Sequence, residues 1–188
     1  MILLMIPEVI AEIGWNHMGD MDIASKMIKA AKDSGADIAK FQTWRVSRLK
    51  NGEWDNDGRR KIYENAELSL EQHKFLIEEC KNNNIEFLSS AFSVEDAKLL
   101  ASLKIKKIKL PSFEVNNFKL LNFCKDNFEV IYVSTGTANK KEIIELKEFF
   151  YEWSGNLIVM HCVSAYPCEA NNINLPRINH LRDFFKNV

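Results

Sequence analysis

The chain has 188 residues, 46% of them hydrophobic, and a formal net charge of −1. That length suits one domain with a real core. The charge excludes a general nucleic-acid binder, which carries a basic excess, and the recurring apolar blocks exclude a disordered chain.

Residues 1–7 are apolar but short, without a basic leader or a small-residue cleavage site, and Glu8 follows at once. They read as the approach to a first strand rather than a signal peptide. The first strand is expected at 8–13. A helix follows at 21–34, with Asp20 and Asp22 at its start and Gly35 as its stop. The second strand is expected at 37–41. A polar segment then runs over 43–67 and carries Trp44 and Trp54. The next helix begins at Ser69, where Ser-Leu-Glu-Gln fits a capping box.

The third strand is expected at 85–89, and its helix opens on Ser93 with Asp96 three residues later. The fourth strand is placed at 106–110 with a helix at 118–124, and the fifth at 129–133 with a helix at 140–153 capped by Asn139. The sixth strand is placed at 157–160, and a last helix starts near Pro176 and runs to the end. Strands that alternate with helices mean βα units and a parallel sheet. Six units fit either a doubly wound sheet or an incomplete eight-unit barrel, which typically needs ~250 residues. There is no linker, and no stretch approaches the ~20 apolar residues of a membrane span.

Each strand ends in residues able to do chemistry. In chain order they are Glu12, Asn16 and His17; Lys40 and Gln42; Ser89, Ser90 and Ser93; Lys109, Ser112 and Glu114; Ser134 and Thr135; and His161, Ser164 and Tyr166. Parallel α/β folds gather such ends on one rim, where their active sites lie. A lysine in a strand covered on both faces is costly unless it meets an anion. Lys40 and Lys109 together suit a doubly anionic ligand such as a phosphate ester, with serine hydroxyls as neutral donors.

No nucleotide-binding glycine pattern is present. No His, Asp or Glu cluster has a recognised metal spacing. His17 and His161 read as hydrogen-bonded rim residues, with metal ligand or catalytic base as the alternatives. His73 and His180 read as surface or packing residues. Cys80, Cys124, Cys162 and Cys168 form no C-x-x-C pair. They read as small buried free thiols in a reducing, cytoplasmic compartment.

The run from Ala11 to Asp20, Ala-Glu-Ile-Gly-Trp-Asn-His-Met-Gly-Asp, resembles the opening motif of the N-acetylneuraminate (sialic acid) synthase family, which includes legionaminate and pseudaminate synthases and spore-coat polysaccharide relatives. Further resemblances follow in order. They are Lys40-Phe-Gln-Thr43, Phe87-Leu-Ser-Ser-Ala-Phe-Ser93, Lys109-Leu-Pro-Ser-Phe-Glu114, Ser134-Thr-Gly136 and His161-Cys-Val-Ser-Ala-Tyr-Pro167.

The resemblance implies a (β/α)8 TIM-barrel fold. It also implies condensation of phosphoenolpyruvate with an N-acylated amino-sugar aldehyde such as N-acetylmannosamine, with release of phosphate. It implies phosphoenolpyruvate contacts at Lys40, Ser90, Lys109, Ser112, Ser134, Ser164 and Tyr166. Ser164 stands where some members have asparagine. Gln42, Phe92, Glu114 and Tyr166 would face the sugar. Glu12, Lys109 and Glu114 would be catalytic, with Glu114 orienting or deprotonating the attacking water. The tryptophans of 43–67 are expected to pack that segment.

The family also implies a divalent cation, Mn2+ or Mg2+, but its usual histidines lie later than this chain reaches, so no metal ligand is assigned. The expectation is the N-terminal part of a barrel over 1–188, about six units, ending inside a helix and without the family's antifreeze-like C-terminal domain. Such a chain would be a homo-oligomer or be completed by a C-terminal part. The partners implied are small molecules, not nucleic acid or membrane. The alternatives are a non-catalytic remnant that keeps the rim, a related 3-deoxy-sugar-acid synthase, or an aldolase.

Overall fold

The computed structural model describes residues 7–49 and 51–188, so the apolar opening of the sequence lies outside the described residues. The chain divides into two compact units, Met1–Ser89 and Ser90–Val188. Strand order follows sequence order from the first strand to the sixth. A doubly wound sheet reverses its order at a switch point, so of the two architectures only the barrel type fits this order.

The first unit holds β1 (Ile10–Gly14), α1 (Met21–Asp33), β2 (Ile38–Thr43), α2 (Arg59–Ala66), α3 (Leu70–Asn82) and most of β3 (Glu86–Ala91). The side chain of Asp20 accepts from the Ile23 amide and starts α1, satisfying one of the orphan donors of a helix N-terminus. Gly35, at φ +86°, ends it in the left-handed region. Ser69 and Gln72 form the expected capping box of α3. Ile28, Ile38, Phe41 and Leu76 are wholly buried, each contributing about 1.5–3 kcal/mol of burial. Phe41 stacks on Phe87 at 5.6 Å. β1 and β2 are parallel, with Glu12 opposite Lys40.

The polar segment over 43–67 contains α2, which the sequence does not announce. Gly58, at φ +93°, precedes it with no side-chain cap, and its first turn is Arg-Arg-Lys, the wrong charge for a helix N-terminus. Tertiary contact holds it instead. Tyr63 meets Trp15, Trp44 and Trp54 at centroid distances of 5.7, 5.8 and 5.6 Å. The tryptophans thus pack this segment, as expected.

The second unit holds the end of β3, then α4 (Val94–Ser102), β4 (Lys107–Leu110), α5 (Phe118–Asn127), β5 (Val130–Ser134), α6 (Lys140–Phe149), β6 (Asn156–Met160) and α7 (Arg177–Arg182). Ser93 and Asn139 cap α4 and α6. Its core is built on Leu100, Ile108, Leu110, Leu120, Leu121, Ile131 and Leu146. The strands are parallel, with Lys109 opposite Ser90 on one side and Tyr132 on the other, and Ser134 opposite Met160.

Two helix ends differ from expectation. α6 stops at Phe149, not at 153, because the Lys125 ammonium donates to the Phe149 carbonyl (2.9 Å) and the Trp153 indole donates to the Lys125 carbonyl (3.1 Å). The last helix stops at Arg182 rather than running on. Leu181 and Phe185 turn into the core, and the Val159 amide donates to the Asn187 carbonyl at 3.0 Å. The chain therefore leaves its last helix and lies along β6.

Candidate functional site

In the first unit, the strand ends bring together Glu12, Lys40 and Gln42. Lys40 is 4% exposed, and its ammonium lies 2.6 Å from Oε2 of Glu12, whose side chain is 52% exposed. A lysine buried at a strand end has thus found a carboxylate, which offsets its desolvation. A Cβ on Gly14 would sit 3.4 Å from Glu12 Oε1 and 3.7 Å from Gln42 Nε2. Gly14 thus leaves room for these two polar groups beside each other.

Behind these rungs runs a buried hydrogen-bond chain. His73 Nδ1 lies 2.8 Å from the Ser69 carbonyl, His73 Nε2 lies 2.8 Å from Thr43 Oγ1, and Thr43 Oγ1 lies 2.7 Å from Ser89 Oγ. The Ser69 carbonyl only accepts, so Nδ1 carries the proton, Thr43 donates to Nε2, and Ser89 donates to Thr43. His73 is therefore a packing histidine, and neutral. Burial pushes its pKa below the usual histidine value, reinforced by the Arg45 charge and opposed by the Ser69 hydrogen bond.

His17 is also fully buried. Its Nδ1 accepts from the Gly19 amide at 3.0 Å, and burial, then the charge of His73, lowers its pKa. It is a hydrogen-bonded histidine, as expected, but enclosed rather than at the rim.

In the second unit, Ser90, Ser112 and Ser134 are 2%, 9% and 4% exposed. Lys109 is half-buried between the strands that carry them. Ser112 Oγ accepts from the Gly136 amide (3.1 Å) and lies 3.0 Å from Cys162 Sγ. Its carbonyl accepts from Thr137 Oγ1 at 2.8 Å. Gly136 is required for space. A Cβ there would lie 2.6 Å from Ser164 Oγ and 2.7 Å from Cys162 Sγ. The ends of β4, β5 and β6 thus close on one another through hydroxyl, amide and thiol. Glu114 is half-buried, and its carboxylate accepts from Asn117 Nδ2 at 2.6 Å. Phe92 and Phe113 face each other at 5.9 Å.

Tyr166 is 96% exposed and Ser164 is also exposed; Ser164 nears Gly136, whereas Tyr166 stands out in solvent. His161 Nε2 lies 2.7 Å from the Ile173 carbonyl, and His180 is exposed. The cysteines divide. Cys80 and Cys124 are buried, and burial pushes each thiol up to about 12. Cys162 and Cys168 are half-exposed, against the expectation that all four are buried, because they sit in the segment after β6. Sequence reasoning missed Phe113, Gly136 and the Cys162–Ser112 contact.

Among the described residues no three His, Cys, Asp or Glu side chains converge. These residues alone do not fit a divalent cation, and no chemical step is routed through one. Nor is any helix among the described residues long and apolar enough to cross a membrane. What the geometry does offer is a set of hydroxyl and amide donors beside a lysine, the chemistry that holds an oxyanion.

Comparison with known proteins gives a consistent picture. Residues 27–188 match the NeuB family. The chain is 35% identical to an N,N'-diacetyllegionaminic acid synthase of Campylobacter jejuni, over 95% of this chain and 58% of that protein. It is 34% identical to a pseudaminic acid synthase of the same species, over 94% and 55%. Among solved structures, the N-acetylneuraminic acid synthetase of Leptospira borgpetersenii superposes with a TM-score of 0.85 at 28% identity, over 96% of this chain and 62% of that one. The chain thus spans a little over half the length of these relatives and has their α/β, TIM-barrel-type fold.

Proposed function

The chain belongs to the NeuB family, and from that premise we propose that it is the N-terminal, phosphoenolpyruvate-binding part of a nonulosonic (sialic-type) acid synthase barrel. The observation that carries this reading is the Ser112 turn. Its hydroxyl is held by the Gly136 amide and Cys162, one strand end away from Lys109 and Ser134. Phosphoenolpyruvate carries a phosphate and a carboxylate. Lys109 and Lys40 supply the positive charge, and Ser90, Ser112, Ser134 and Ser164 supply neutral donors.

In the proposed reaction, carbon three of phosphoenolpyruvate attacks the aldehyde carbon of an N-acylated amino-sugar. Water adds at carbon two, and phosphate leaves. Glu114, already oriented by Asn117, positions that water or takes its proton, a role worth roughly 10²–10⁴-fold. Lys109 and the serine hydroxyls stabilise the oxyanions that form. Glu12 and Gln42 face the sugar, with Glu12 surrendering Lys40 to the incoming anion; Phe92 lines the sugar and Tyr166 closes on both substrates. The family's divalent cation, which would activate the aldehyde, needs ligands from outside the described residues, supplied by a C-terminal part or a second subunit. The free thiols suit a cytoplasmic setting.

The absence of a three-ligand cluster among the described residues favours one second reading, a rim that binds phosphoenolpyruvate without turnover. Phosphate release separates the two. Release from phosphoenolpyruvate that requires both N-acetylmannosamine and Mn2+ supports the synthase. Saturable binding without release supports the remnant, and neither binding nor release by the folded chain contradicts both.

A further inference from the structure

Phe113 is a large apolar residue that the proposed reaction leaves unused. It is 59% exposed, yet it lies between two fixed residues. Ser112 is held by the Gly136 amide, and its carbonyl by Thr137. Glu114 is held by Asn117, and its amide donates to the Pro111 carbonyl at 3.0 Å. The turn Ser112–Glu114 is thereby pinned at both ends. The ring cannot retreat into the core without breaking these bonds, so it stays presented at the rim. Its neighbour is Phe92, at 5.9 Å and an interplanar angle of 38°.

We infer that Phe113, together with Phe92, forms an apolar platform that selects amino-sugars carrying two acetamido groups over those carrying one. This rests on the proposed function, since it names the acceptor class of that site. The platform is continuous with the site, because Phe113 adjoins both Ser112 and Glu114 in one turn. An acetamido methyl on a ring face gains dispersion and quadrupole attraction. A hydroxyl placed there loses a hydrogen bond to water and gains nothing in return. The pair therefore rewards a second N-acyl group and disfavours a hydroxyl in its place.

The test is calorimetry on the full chain saturated with phosphoenolpyruvate, titrated with N-acetylmannosamine and with a 2,4-diacetamido hexose. Wild type should bind the diacetamido sugar about tenfold more tightly, and Phe113→Ala should abolish that preference. Phe113→Leu should keep part of it. Phe118→Ala, at another exposed phenylalanine, should change nothing, and phosphoenolpyruvate affinity should be equal in all four proteins. Equal affinity of wild type for the two sugars, or a preference that survives Phe113→Ala, overturns the inference. If phosphoenolpyruvate does not bind but the sugar preference appears and depends on Phe113, the platform stands and the proposed function fails. If phosphoenolpyruvate binds and neither sugar does, the platform fails alone.

Discussion

Glu12 and Lys40 stand opposite each other in the parallel register of β1 and β2, with the ammonium 2.6 Å from the carboxylate. The lysine is buried and the glutamate is open to water, so the pair is asymmetric: removing Glu12 strips a buried cation of a partner. Glu12→Gln should lower stability by about 1–2 kcal/mol, read as a shift in the urea midpoint at constant slope. Phosphoenolpyruvate, as a substitute anion, should recover more stability in the variant than in wild type. Equal stability of the two proteins would show that other contacts of Lys40 suffice.

The two buried histidines set an acid limit. Both have pKa values lowered by burial, so the unfolded chain takes up protons before the folded one does. Their contribution is fully present above the unfolded value of ~6.5. It is lost as pH falls from there towards the lowered folded values, at up to about 1.4 kcal/mol per pH unit for each group. Urea melts between pH 7 and pH 5 should show this loss, and His73→Gln should flatten it. A stability flat from pH 7 to pH 5 would contradict the neutral, buried assignment.

Thiol reactivity should split two and two. Cys80 and Cys124, pushed up to about 12 and buried, should react with iodoacetamide only after unfolding. Cys162 and Cys168 are half-exposed and should react in the native chain. Phosphoenolpyruvate should slow labelling at Cys162, which touches Ser112, and leave Cys168 unaffected. Peptide mapping by mass spectrometry reads each site.

Gly136 is crowded, not strained. A Cβ would lie 2.6 Å from Ser164 Oγ, 2.7 Å from Cys162 Sγ and 3.1 Å from the Cys162 carbonyl. Gly136→Ala should cost about 1–3 kcal/mol as overpacking. It should also weaken phosphoenolpyruvate binding, because the amide that holds Ser112 must shift. Restored binding in Gly136→Ala combined with Ser164→Gly would show that the clash is with that side chain.

The fold is legible wherever a local rule governs it. Asp20, Ser69, Ser93 and Asn139 each cap the helix that their spacing announces, because capping is decided within four residues. α2 is not legible. It has no side-chain cap and a basic first turn, and distant tryptophans hold it. The end of α6 is set by Lys125, 24 residues earlier in the chain.

The candidate site divides the same way. Reactive residue types at the strand ends can be read off the sequence. The union of Ser112, Gly136 and Cys162 depends on how the ends of β4, β5 and β6 come to lie together, and Phe113 looks like a core residue until the pinned turn exposes it. Tyr166, assigned from resemblance to both substrates, stands 96% exposed, a placement that no local pattern encodes.

The most direct measurement is a calorimetric titration of phosphoenolpyruvate into the full chain, wild type beside Lys109→Met and Ser112→Ala, with folding checked by circular dichroism. The account predicts saturable binding that weakens at least about tenfold in Lys109→Met, as loss of a charge-assisted contact requires. It predicts a smaller loss in Ser112→Ala and weaker binding at higher salt. No binding by the folded wild type, or full affinity in Lys109→Met, would contradict it.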